Sequence, residues 1–312
     1  MNIFTQKLIA SIIPIKLIKN NFNPILLYHS LGSKEQFNKN IDHVKLDVLY
    51  NQLEYIQKYW KFVSIDEYAN SKKKNGIASV TIDDGYKNII DESLDVFKSL
   101  NIPITLFINS ASFEKKIFWR DKVRYLIKKN LVFEFLNNSK LFNKEKIDNF
   151  YHITKNPKFN SIQVEKEIDQ FLYKKNINLN NELKLCFDDK KYLIKDDLIF
   201  YGNHTANHYM LSSLSRQEQY NEINDCKNFI DKLNVNTTKI FGVPFGGENS
   251  FNEDTITILR DLDYQILLKS NNSLDGKNFS SQINRFMPKN SNINMTIKYL
   301  YIKTLLKNLF RQ

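Results

Sequence analysis

The sequence predicts an α/β protein, on three observations. Short apolar runs alternate with longer amphipathic stretches. The runs recur often enough to form a sheet of about seven strands. The residues that end those runs are chemically rich, as when parallel strands bring their carboxyl ends to one mouth.

The strand candidates are residues 24–28, 78–82, 104–108, 198–202, 239–243, 265–268 and 282–284. Each is a four- to five-residue run, or a shorter one, bounded by polar or turn-forming residues. Helical stretches follow several of them. Residues 44–59 place Val44, Leu49, Leu53 and Ile56 at helical spacing. Residues 87–100 do the same with Ile90, Leu94 and Phe97. Residues 215–233 open on a Ser215–Glu218 capping box and continue with Ile223, Cys226, Phe229 and Ile230 on one face. Residues 113–196 interrupt the alternation. They are rich in Lys, Asn, Phe and Leu and read as a helical insertion between the third and fourth strands. The run Lys72–Lys74 reads as a solvated loop.

The chain has 312 residues, 42% apolar and 25% charged, close to globular averages. Its formal net charge is +11, from 45 Lys and Arg against 34 Asp and Glu. Only six of the basic residues are Arg, which disfavours base-specific nucleic-acid recognition. The excess charge lies at the ends. Residues 1–24 carry three Lys and no acid, and residues 277–312 carry seven Lys or Arg and no acid. The middle of the chain is nearly neutral. Cys186 and Cys226 lie far apart in sequence and outside any CxxC pair, which favours free thiols in a reducing compartment.

The apolar run Leu8–Ile18 is broken by Pro14 and Lys16, too short to span a bilayer. With no A-x-A-like site after it, residues 1–23 read as an amphipathic segment rather than a cleaved signal. Residues 288–312 read as a basic amphipathic helix. Tyr301, Ile302, Leu305, Leu306 and Leu309 share one arc, with Lys303, Lys307 and Arg311 opposite. That helix suits either an anionic membrane surface or packing against the body of the protein. The expected location is the cytoplasm, with the inner face of the cytoplasmic membrane as a peripheral site.

The strand ends carry the chemistry. The first ends in Tyr28-His29, the second in Asp83-Asp84, the fourth in Asn203-His204 with His208 beyond, the fifth in Pro244-Phe245-Gly246, and the seventh in Arg285. His204 and His208, at i and i+4, would face one side of a helical turn and share a metal. Asp84 adds a carboxylate, giving a two-His-one-carboxylate set. Zn²⁺ is the first choice for hydrolysis, although such a set suits other divalent metals. Asp83, pointing the other way along an extended chain, is left free as general base.

Thr81-Ile82-Asp83-Asp84-Gly85, His204-Thr205-Ala206-Asn207-His208 and Val243-Pro244-Phe245-Gly246 resemble the successive motifs of the polysaccharide deacetylase family, the NodB-like carbohydrate esterases. Leu26-Leu27-Tyr28-His29-Ser30 and Phe118-Trp119 resemble a subgroup associated with bacterial surface-polysaccharide biosynthesis. The resemblance covers residues 24–287. It implies a distorted (β/α)7 barrel with the helical insertion between its third and fourth strands. It also implies metal-dependent removal of N-acetyl groups from sugars in an envelope glycan or a lipid-linked or activated precursor.

By position, the resemblance makes Asp83 the base, Asp84, His204 and His208 the metal ligands, and the Phe245 N–H an oxyanion donor. Tyr28, Trp119, Pro244, Phe245, Gly246 and Arg285 become candidate substrate contacts. Two departures stand out. The family often has Arg two residues before the Pro of the third motif, where this chain has Gly242. Many members also have a late His as general acid, whereas this chain has none after His208. His29 is the substitute acid by location, or a structural His near the mouth. Arg285 is left to bind a substrate anion or pair with an acid. The competing function is a catalytically silent glycan-binding or assembly protein that keeps the barrel.

Overall fold

The computed structural model describes residues 10–33, 43–71, 75–142, 149–179, 183–276 and 280–309. Seven parallel strands form the centre: β1 (Ile25–Tyr28), β5 (Ile77–Ile82), β6 (Ile104–Ile108), β7 (Ile199–Asn203), β8 (Thr237–Gly242), β9 (Ile266–Lys269) and β10 (Gln282–Asn284), hydrogen-bonded in that order. The last strand reaches back to the first. Leu27 N–H donates to Phe286 at 2.9 Å, and Phe286 N–H donates to Ile25 at 3.1 Å. The result is the nearly closed (β/α)7 barrel that the resemblance implied.

The seven strands sit where the apolar runs predict, within one or two residues. Their burial explains why. β1, β6 and β9 are buried at every position, which is the signature of strands covered on both faces. Three short strands carry no such signal. β2 (Ser30–Gly32) pairs with β3 (His43–Lys45), and β4 (Lys61–Phe62) adds to the edge of β5. At two or three residues each, they lie below the length at which periodicity can be read.

The predicted helices are present as Leu46–Gln57, Leu94–Ser99 and Arg216–Ile230. The Ser215–Glu218 box forms in both directions. The turn before Leu94 is a π-helix over Ile89–Ser93, absent from the sequence reading. The insertion between β6 and β7 holds the helices Trp119–Lys128, Val132–Asn138, Phe150–Ile153 and Ser161–Lys174. It has its own aromatic core, with Phe135 in ring contact with Phe142, Phe150 and Phe171. That core runs on to Leu211, Phe241 and Leu267 of the barrel, so the insertion is seated on it.

The described segments near the two ends pack together. Phe22 meets Tyr301 edge to face at 5.5 Å, and Lys298 donates to the Ser11 carbonyl. Ile18 of the early segment is buried. The last helix, Ile293–Leu309, buries Ile297, Leu300, Tyr301 and Ile302 against the barrel. Tyr301 and Ile302 of the predicted apolar arc are therefore core residues, while Leu305 is exposed. The predicted contributions of Lys307, Leu309 and Arg311, and the run Lys72–Lys74, lie outside the described residues or side chains. Among described residues no helix is long and apolar enough to cross a membrane. Cys186 and Cys226 are buried free thiols.

Candidate active site

β5 delivers the two carboxylates. The Asp83 N–H still bonds to the Tyr28 carbonyl at 2.9 Å, and the chain then turns sharply, with Asp84 at φ +71°. The expectation that neighbouring carboxylates must diverge fails here. It assumed an extended backbone, and the left-handed Asp84 removes that condition. Asp83 Oδ2 lies 3.7 Å and Asp84 Oδ1 3.5 Å from the same atom, His204 Nε2.

The two imidazoles also converge by a different route from the one predicted. Residues 204–208 form a loop, not a helical turn. Thr205 and His208 both have positive φ. Side chains hold this loop. Asn203 Oδ1 accepts from Thr205 N–H, Thr205 Oγ1 accepts from His208 N–H, and the Glu222 carboxylate accepts from both the N–H and the Nδ2 of Asn207. The ring centroids of His204 and His208 lie 4.8 Å apart. His204 Nδ1 is 2.6 Å from the Gly242 carbonyl, which assigns it the proton and leaves Nε2 as a lone-pair donor.

Donor atoms of Asp84, His204 and His208 all lie within 4.8 Å of one another, and all three residues are buried. Asp84 Oδ1, 3.3 Å from His208 Nε2, makes no aligned hydrogen bond. A buried carboxylate oxygen without a hydrogen bond, flanked by two imidazole nitrogens, fits a divalent cation. Burial alone would raise the Asp84 carboxyl, but His208, His204 and His29 outweigh it and hold it far below the usual carboxylate range. Burial pushes His208 well down, while Asp83 and Asp84 overcome burial and raise His204.

Arg285 lies off the cavity surface. It is fully buried and grips Asp83 with both amines, Nη1 to Oδ1 at 2.7 Å and Nη2 to Oδ2 at 2.8 Å. Of the two roles open to it in sequence, pairing with an acid is the one the geometry supports. This also accounts for Gly242. A Cβ there would lie 2.8 Å from the Phe107 ring and 3.3 Å from His204 Nδ1, so no side chain fits. Gly242 leaves no room for an arginine, and Asp83 is held instead by one from beyond the end of β10.

The other predicted contacts divide. His29 and Phe245 line the cavity that Asp83, Asp84, His204 and His208 share, a space of about 150 Å³. His29 is half-buried, and its Nδ1 is buried without a partner. Phe245 holds φ +64°, a strained setting for a bulky residue, and its ring lies 4.7 Å from that of His208. Tyr28, Trp119, Pro244 and Gly246 do not line the cavity. Tyr28 is core, with its hydroxyl on Gln52. Trp119 is buried and donates from Nε1 to the His208 carbonyl, bracing a candidate ligand. Pro244 is buried. Gly246 has φ +68°, and a Cβ there would collide with Ser270.

Sequence reasoning missed the insertion's share of the cavity wall. Arg120, Arg124, Tyr151 and Lys155 all line it. The available signal was arginine itself, since two of only six in this Lys-rich chain fall at i and i+4 just after Trp119.

A family model described as polysaccharide deacetylase matches residues 171–267, a stretch that contains His204, His208 and Phe245 but not Asp83 or Asp84. No curated protein sequence matches this chain. Solved structures share the fold. Streptococcus pyogenes deacetylase PplD, solved in complex with acetate, is 18% identical, with TM-score 0.53 over 90% of this chain and 96% of that one. IcaB from Ammonifex degensii is 13% identical, with TM-score 0.53 over 91% and 97%. The de-N-acetylase from Aggregatibacter actinomycetemcomitans is 12% identical, with TM-score 0.52 over 89% and 99%. The family match covers less than a third of the chain, and the solved structures, at low identity, show the fold: a NodB-like (β/α)7 barrel similar to that of the polysaccharide deacetylases.

Proposed function

We propose that this protein is a metal-dependent hydrolase that removes an N-acetyl group from a sugar of a cell-envelope polysaccharide or its precursor. The observation that carries this reading is the convergence of Asp83, Asp84, His204 and His208 on one cavity. Asp84, His204 and His208 would hold a divalent cation, with Zn²⁺ the first choice for this ligand set. When bound, such a cation acts as a Lewis acid toward an amide carbonyl and makes water more acidic.

The remaining work falls to the chain. Asp83 takes a proton from the attacking water as general base. Arg285 fixes both Asp83 oxygens and thereby sets the direction of that proton transfer. The Phe245 N–H, on its left-handed turn, donates to the carbonyl oxygen as it gains charge. His29 gives a proton to the departing amine. The balance is one amide and one water to acetate and a free amine.

The test is acetate release from N-acetylglucosamine oligomers, read beside metal content. Asp83→Asn should retain about one metal per chain and lose turnover by about 10²–10⁴-fold. Asp84→Asn should lose the metal. A metal-loaded protein that binds glycan without releasing acetate, unaltered by Asp83→Asn, would establish the silent binding protein instead.

A further inference from the structure

Five Lys or Arg side chains are buried among the described residues, and four have a carboxylate partner. Arg124 pairs with Asp121 at 2.7 Å, Lys122 with Glu165 at 2.7 Å, Lys269 with Glu248 at 3.0 Å and Arg285 with Asp83 at 2.7 Å. Arg120, 1% exposed, is the exception. Its Nη1 donates to Thr154 Oγ1 and its Nη2 to the Tyr151 carbonyl, both neutral acceptors. Its Nε is buried with no hydrogen-bond partner. A buried guanidinium is retained where a negative charge meets it, and among the described residues the chain supplies none.

Its position suggests where that charge comes from. Arg120 lines the catalytic cavity. Its Cζ lies 5.4 Å from the Phe245 ring centroid, and the same ring lies 4.7 Å from His208. Lys155 Nζ approaches that ring at 5.8 Å and Tyr151 at 5.3 Å. The two carboxylates on the cavity wall are already engaged. Asp83 is gripped by Arg285, and Asp84 belongs to the metal triad. The local field is positive. Burial would raise the Tyr151 hydroxyl, yet Arg124, Arg120 and Lys155 outweigh it and lower it.

We propose that Arg120, seconded by Lys155, binds an anionic group carried by the substrate's own sugar, a phosphoryl or carboxylate group one aromatic ring's width from the reacting amide. The preferred substrate is then an acidic N-acylated sugar and not a neutral glycan. This rests on the deacetylase reading for the amide, but not for the anion.

Titration calorimetry on the full-length protein tests it with sugars that carry no acyl group to hydrolyse. Glucosamine 1-phosphate and muramic acid should each bind at least tenfold more tightly than glucosamine if both anions fit. Preference for one alone identifies the source as phosphoryl or carboxylate. Arg120→Gln should erase the preference and Arg120→Lys should restore part of it. Because Arg120 also holds Thr154 and Tyr151, Lys155→Gln on a half-buried residue is the second variant, expected to reduce the preference at least threefold. Equal affinity for all three sugars in the wild type overturns the proposal, as does a preference unchanged in both Gln variants. Acetate release from the N-acetylated counterparts separates the two claims. Charge-dependent binding with no acetate from any sugar defeats the deacetylase reading alone. Acetate released equally from neutral and acidic sugars, with equal binding, defeats the anion site alone.

Discussion

The bidentate pair between Asp83 and Arg285 should dominate the local energetics of the barrel mouth. Both side chains are buried, at 3% and 0% exposure. Their two short bonds satisfy both carboxylate oxygens, and Arg285 Nη1 also reaches Thr81 Oγ1 at 3.2 Å. Removing either partner leaves the other charge buried alone, which costs about 3–5 kcal/mol. Arg285→Met and Asp83→Ala should therefore each lower stability by about that much, near 2 °C of Tm per kcal/mol for a chain of this size. The double variant has no charge left to strand. It should fall well short of the sum, with a coupling of about 3 kcal/mol, against about 0.5 kcal/mol for independent sites. Urea unfolding followed by circular dichroism measures all four corners of the cycle. Additive losses would refute the idea that the pair is a closed electrostatic unit, and with it the claim that Arg285 orients the base. Arg285→Lys supplies a point charge without the planar fork, so it should recover more stability than turnover.

Two further expectations concern the supports of the imidazoles. Gly242→Ala forces a Cβ to within 2.8 Å of Phe107 and crowds His204 Nδ1. It should cost about 1–3 kcal/mol and weaken metal binding, and a variant with wild-type metal affinity would contradict the close approach. Glu222, which holds the His204–His208 loop, has its carboxyl pushed up to about 7, chiefly by burial and against the opposing donors of Asn207 and Thr205. A folded pKa above the unfolded value means stability that is complete below about pH 4.5 and lost as pH rises through 7, up to about 3 kcal/mol. Glu222→Gln should remove that slope, so a stability difference between wild type and variant that is the same at pH 5 and pH 8 would defeat the assignment.

Strands buried on both faces, such as β1, β6 and β9, appear as uninterrupted apolar runs, and the other barrel strands carry shorter apolar runs between turn residues, which is why the seven strands and the interrupting insertion were legible in the sequence. The residue types of the site were legible for a related reason, since few chemical roles ask for Asp-Asp at one strand end and two His four apart at another. The means of convergence were not. A left-handed Asp84 turned two diverging carboxylates toward one imidazole, and a loop pinned by Asn203, Thr205 and Glu222 replaced the expected helical turn. Such backbone choices depend on partners distant in sequence, so no local pattern announces them. Tyr28 and Trp119 were misassigned for the same reason. An aromatic beside a motif reads alike whether it meets substrate or core, and only burial decides.

Composition placed the positive charge at the chain ends and left the middle near neutral, and that count holds. A net charge is a sum, however, and it contains nothing about pairing. Tertiary structure brought Arg120 and Arg124 to one cavity and Arg285 onto Asp83; among the described residues it gave Arg124 and Arg285 carboxylate partners and Arg120 only neutral ones. The sequence alone determined the barrel and the chemical types at its mouth, because burial and residue type are local properties. Which buried charge lacks a carboxylate partner among the described residues is a property of distances, and the folded chain alone decided it.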